Sequence, residues 1–286
     1  MALLRVGEVE LAYELSGPPR GEVAFIVSGL IDTIHHWPAG LVWRLADLGY
    51  RTLRFDTRDC GRSTWLNGGG QAGPPAGQRA YSLSDLAADA AGLLDGLGIA
   101  RAHVVGFSMG GCVAQILAAQ RPELVTSLVP LFSTSRAPGL PPIGRPMVTP
   151  SPADPVKDGR DAEARLQAVL AHSDGSLHAR SADEKRIWID LLLARGYNPE
   201  GVGRQGAAMR ESPPHYEMLS AVRAPTTVIQ AAEDKYFGRA HGEDLARRIP
   251  GARLEVIAGA GHAVSLSLLP ILGELLLAHL ARARAS

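Results

Sequence analysis

The five residues Gly106-Phe107-Ser108-Met109-Gly110 constrain this chain more than any other stretch. They match G-x-S-x-G, and the setting gives the match its weight. His103-Val104-Val105 reads as a strand that ends at Gly106, and residues 109–120 read as a helix stopped near Pro122. A serine at that junction sits on a tight turn with strained backbone angles. Small residues two before and two after it let strand and helix approach closely. The turn lifts the hydroxyl clear of the sheet edge and aims the unpaired N–H groups of the helix N-terminus at a reacting carbon.

The rest of the chain supplies a sheet for such a turn. Residues 3–6 and 9–15 alternate apolar and polar side chains around Gly7-Glu8, the pattern of a half-buried hairpin. Residues 23–27 are continuously apolar, as in a parallel strand covered on both faces. Pro38 opens a helix carrying Leu41, Val42, Leu45 and Leu48, and residues 51–55 form a further strand. A glycine-rich stretch, 68–77, is expected as a surface excursion, and Ser84 as the N-cap of a helix over 86–97. Residues 128–132 are the next strand, with Pro130 an awkward fit. Prolines crowd 136–155, and up to about 222 the pattern is helical without strands, as over 162–171 and 183–194. Strands return at 226–230 and 253–257, with helices near 243–248 and 265–280. This predicts an α/β fold, a mainly parallel sheet with helices on both faces, in which 1–135 and 223–286 form the core and 136–222 a helical cap, or lid, inserted over the strand ends.

Composition narrows the partners. With 29 Lys and Arg against 29 Asp and Glu in 286 residues, nothing favours nucleic acid or an anionic membrane surface. The N-terminus lacks the basic start and apolar run of a signal peptide, and no run reaches the roughly 18 apolar residues of a membrane span. A cytoplasmic protein with reduced thiols is expected. Cys60 and Cys112 make no metal motif and read as small buried packing residues; no metal or organic cofactor is expected.

A serine hydroxyl needs a base, and the base an orienting acid, in the chain order Ser, acid, His. His262 lies in Gly259-Ala260-Gly261-His262, just past a strand end, where catalytic groups of open α/β sheets gather. His103 falls inside a strand, as packing; His172, His178, His215, His241 and His279 fall in predicted helices, the cap or their flanks, as surface groups. Asp234 follows the strand 226–230 and is preferred as the acid over its neighbour Glu233, because the shorter side chain suits the turn. The oxyanion hole is expected from the backbone N–H groups of Met109 and Leu30, with Ile31 as the alternative to Leu30. Substrate contacts are expected from Gly29, His35, His36, Trp37 and Trp188, with Tyr197, Met209 and Tyr216 as further pocket candidates.

These positions resemble the α/β-hydrolase superfamily across nearly the whole chain. Asp56-Thr57-Arg58-Asp59-Cys60-Gly61-Arg62-Ser63 is similar to its D-x-R-G-x-G-x-S turn, with Asp59 where glycine is more usual. That departure, together with Trp37-Pro38, His103-Val104-Val105-Gly106, Val228-Ile229-Gln230-Ala231 and Ile257-Ala258-Gly259-Ala260-Gly261-His262-Ala263, resembles the aclacinomycin methylesterase group. Ser28 and Leu30 differ from that group's glycine-rich oxyanion loop, and the cap looks shorter. The resemblance implies a serine esterase that cleaves a methyl or small-alcohol ester of a hydrophobic, polyketide-like acid through an acyl-enzyme. The same triad also serves C–C bond hydrolases, acyltransferases and prolyl amidases, and the fold serves non-catalytic ligand binding.

Overall fold

In the computed structural model, residues 1–66, 80–143 and 159–285 are described; the glycine-rich stretch 68–77 and most of the proline-rich run lie outside them. Eight strands form one sheet: β1 (Ala2–Val6), β2 (Val9–Ser16), β3 (Val23–Val27), β4 (Arg51–Phe55), β5 (Ala102–Phe107), β6 (Val125–Leu131), β7 (Thr227–Ala231) and β8 (Arg253–Ile257). Their order is β1-β2-β4-β3-β5-β6-β7-β8. The β1–β2 hairpin joins β4 antiparallel, and every other pairing is parallel. This is the α/β-hydrolase fold.

The continuous apolar runs are explained by position. All residues of β3, β5 and β7 are buried, because helices cover both sheet faces. Alternate residues serve opposite layers: Phe25 and Val104 join Leu86 and Leu93 of α2 (Leu83–Gly96) and Val113 of α3 (Met109–Gln120), whereas Ile26 and Val105 join Leu41 of α1 (Ala39–Asp47) on the other face.

The structure adjusts two sequence readings, a helix cap and an unread helix, and explains a third, the strand that carries Pro130. The N-cap of α2 is Ser82, not Ser84: its hydroxyl accepts the Asp85 N–H while the Asp85 carboxylate takes the Ser82 N–H, a reciprocal box that two residues further on has no partner. Strand β6 runs through Pro130. The ladder to β7 uses the flanking donors, Leu128 N–H to Pro225 O and Phe132 N–H to Ile229 O, and the imide nitrogen falls where the donor between them would stand. The insertion between β6 and β7 carries three helices, α4 (Gly159–Ser173), α5 (Ala182–Arg195) and α6 (Pro199–Glu211), and no strand among the described residues. The third was hidden by its three glycines; Asn198 caps it, and Gly201 lets it approach the Asp59 carbonyl, which a Cβ would meet at 2.4 Å.

The chain closes with α7 (Arg239–Arg248), before β8, and α8 (Leu269–Ala285). By length and composition Leu266–Arg284 is apolar enough to cross a membrane. Leu272, Leu276 and Leu280 of this segment are nonetheless buried with Leu41 and Leu45, as in a core helix.

Candidate active site

Ser108 joins β5 to α3 with φ 56° and ψ −119°, a left-handed conformation that a side chain disfavours. Its surroundings impose it. The Ser108 N–H donates to Leu131 O at 2.9 Å, and the Ser133 hydroxyl donates to the Ser108 carbonyl at 2.8 Å. The flanking glycines are obligatory: a Cβ on Gly106 would lie 2.3 Å from Gly110 O, and one on Gly110 would lie 2.2 Å from Val27 O.

The loops after β7 and β8 bring the other two groups to it. The Ser108 hydroxyl reaches His262 Nε2 at 2.8 Å, and His262 Nδ1 reaches Asp234 Oδ2 at 2.7 Å. A carboxylate can only accept, so Nδ1 carries the proton and Nε2 is left to accept from the serine. The other Asp234 oxygen takes the N–H groups of Tyr236 and Phe237 at 2.8 and 2.9 Å, which fixes the carboxylate. Glu233 turns away: its oxygens accept from the Ser176 N–H and hydroxyl, bonds that hold its carboxyl below the usual range. The glycines before His262 admit the end of α4, since a Cβ on Gly261 would lie 2.4 Å from Ser173 O.

In the loop after β3, the Ile31 N–H donates to Gln205 Oε1 of α6 at 3.0 Å and is therefore committed. Among the described residues neither the Leu30 nor the Met109 N–H has a protein acceptor. Ser28 replaces backbone flexibility with a contact, accepting the Trp37 indole N–H at 3.2 Å.

A cavity of ≈ 70 Å³ opens at Ser108 and His262. Its walls are apolar on Leu30, Trp37, Phe107, Val169, Leu170 and Trp188, and polar at Asp32 and Arg180. His36 also lines it, stacked on Trp188 with ring centroids 4.4 Å apart. His36 Nδ1 accepts the Thr33 N–H and its Nε2–H donates to Trp188 O, so both ring nitrogens are in use. Burial pushes its pKa down to about 3 and keeps it neutral. Asp32 shifts the opposite way: burial pushes its carboxyl up to about 6, against the pull of Arg180 and His262.

Other pocket candidates stand elsewhere. His35 bonds Arg195 at 3.0 Å and is not in the cavity wall, because Asp56 draws Arg195, and with it the ring, to the outer side of the loop. Gly29 offers no contact of its own; its missing Cβ makes room for the Phe107 ring, 2.9 Å from where that carbon would be. Tyr197 packs in the small apolar cluster of the insertion, Met209 in the core, and Tyr216 lies beneath Arg248. His215, His241 and His279, expected at the surface, are buried on Gln115, Thr134 and Thr227. His103 packs inside its strand against Ser127, and both cysteines are free and buried.

Asp59 adopts φ 68°, which explains why glycine is the usual residue at that turn position. Here the side chain is used: its carboxylate pairs with Arg204 of α6 through two bonds of 2.8 Å. Sequence reasoning missed Arg180, Gln205 and Arg204, which meet the site only through tertiary contacts. Asp32 had a signal, standing two residues past the expected oxyanion donor.

A family model described as alpha/beta hydrolase fold matches residues 25–267. The chain is 30% identical to the rhodomycin D methylesterase DnrP of Streptomyces peucetius, with 95% of each chain covered. It is 29% identical to a 2-hydroxy-6-oxononadienedioate/2-hydroxy-6-oxononatrienedioate hydrolase of Burkholderia vietnamiensis, over 76% of this chain and 72% of the relative. Among solved structures, the enol-lactonase of Burkholderia xenovorans LB400 superposes with a TM-score of 0.77 at 23% identity, covering 98% of this chain and all of the other.

Proposed function

Since the chain belongs to the α/β-hydrolase family, we propose that it is a serine-dependent carboxylic ester hydrolase that takes a small-alcohol ester, such as a methyl ester, of a hydrophobic acid. The observation that carries this reading is the continuous chain Asp234–His262–Ser108, ending at a cavity with two uncommitted N–H groups beside it. Ser108 Oγ attacks the ester carbonyl as its proton passes to His262 Nε2. The Leu30 and Met109 N–H groups receive the oxyanion, Asp234 steadies the imidazolium, and His262 returns the proton to the departing alcohol. Water, deprotonated by the same His262, then cleaves the acyl-enzyme. The cycle uses side chains, two backbone N–H groups and water, and a cytoplasmic setting with reduced thiols suits it.

A water needs roughly 10–15 Å³, so the cavity as it stands holds a small acyl group and not a polycycle. Helices α4–α6 serve as the lid, and larger acids enter when Val169, Leu170 and Trp188 move off the strand ends.

The test joins labelling to turnover. A fluorophosphonate should modify Ser108, and Ser108→Ala should remove both labelling and hydrolysis, with a loss on the order of a millionfold in kcat. Along a methyl ester series, kcat/KM should rise from methyl acetate to methyl 3-phenylpropanoate. Labelling of another serine, a preference for acetate, or activity confined to amides or C–C bonds would count against the proposal.

A further inference from the structure

The polar end of the cavity is not needed for ester cleavage. Asp32 is a wall residue whose side chain is only 14% exposed, yet among the described residues no Lys or Arg nitrogen lies within 4 Å of it. Its nearest basic neighbour, His36 Nδ1 at 3.5 Å, already accepts the Thr33 N–H and has no proton to offer. The Trp188 side chain supplies one hydrogen bond to it, and a carboxylate can accept about four, so its remaining capacity is open to a donor from whatever occupies the cavity. Arg180, between α4 and α5, lines the same cavity and complements it. Its side chain is 9% exposed, and Asp174 takes its Nε–H at 3.2 Å; its two terminal nitrogens make no hydrogen bond among the described residues.

One wall therefore offers an acceptor and another offers donors, with opposite charges that balance. An ammonium can only donate and would leave a surplus positive charge, and a carboxylate can only accept and would face Asp32. A hydroxyl does both and adds no charge. We infer that the pocket selects esters whose acyl part carries a hydroxyl group, received by the Asp32 carboxylate and the Arg180 guanidinium. This assignment rests on the esterase reading above and narrows its substrate from a plain hydrocarbon acid to a hydroxylated one.

The experiment compares methyl 2-hydroxy-3-phenylpropanoate with methyl 3-phenylpropanoate, using methyl phenylalaninate as the cationic and monomethyl benzylmalonate as the anionic counterpart. The intact protein should favour the hydroxy ester over its deoxy partner by about 10- to 100-fold in kcat/KM, the range of a hydrogen bond to a charged group. Asp32→Leu should bring that ratio to near one, and Asp32→Asn, which preserves shape, to an intermediate value. Fluorophosphonate labelling of Ser108 in each variant establishes that it is folded. A ratio near one in the unaltered protein, a ratio that survives Asp32→Leu, or a preference for either charged ester overturns the assignment while leaving the esterase intact. Turnover of none of the four by protein that still labels at Ser108 overturns both.

Discussion

At the scale of single residues, the decisive contrast is between neighbours. Asp234 and Glu233 are adjacent carboxylates, yet only Asp234 faces His262, with its second oxygen held by two N–H groups, while Glu233 is spent on Ser176. Asp234→Asn should fold and lose about four orders of magnitude in kcat, because the amide favours the wrong imidazole tautomer. Glu233→Gln should be at least a hundredfold milder; steady-state kinetics on one ester settles the comparison. Side-chain length was the reason for preferring Asp234 in the sequence; in the structure its second oxygen is also held by the Tyr236 and Phe237 N–H groups. The same local logic located Ser108 and His262. It could not say that His35 leaves the cavity and His36 stays, since that division is made by Arg195 and Trp188, about 150 residues away.

At the scale of elements, α6 is fastened to the core by groups that desolvation makes costly to separate. Asp59 is fully buried, and Arg204 is its bidentate partner across 145 residues. Arg204→Met should strand that charge and cost about 3–5 kcal/mol, read as a fall in thermal midpoint. Adding Asp59→Gly removes the stranded charge and suits the positive φ, so the double variant should be more stable than Arg204→Met alone; a double variant that is worse would show the pair is not the tie. Strands and most helices were legible because their signals are local: apolar runs for buried parallel strands, helical spacing for α1 and α3. The glycines of α6 obscured that helix for the converse reason, and Pro130 made the strand at 128–132 look an awkward one. Their local preferences are overridden by partners that a linear reading does not show, a β-ladder that skips one donor and a turn that needs a bare helix face.

For the molecule as a whole, buried histidines set its response to acid. Burial lowers the pKa of His36 and His215 to about 3 and of His279 to about 4, the last helped by Arg282 and His103. An unfolded histidine titrates near 6.5, so below that pH the unfolded chain binds more protons than the native one. Stability from these groups is complete above pH 6.5 and is lost as pH falls toward the native values. For His279 alone the loss between pH 6.5 and 4 is about 3 kcal/mol. Urea titrations should show wild type losing that much against His279→Gln over the interval; parallel profiles would refute it. A second whole-molecule property lies in the join between β6 and β7. Strands β5 and β6 share six registered pairs and β7 and β8 five, but β6 and β7 share one, Leu131 with Ile229, plus a single bridge, where Pro130 withholds its donor. Ser108 stands on one side of that fault line, and Asp234 and His262 stand on the other. Partial detachment of the C-terminal β7–β8 unit would part nucleophile from base while most of the sheet persists. Reversible heat inactivation should then set in several degrees below the loss of circular dichroism, and the amides of β7 should exchange with deuterium sooner than those of β3 and β5.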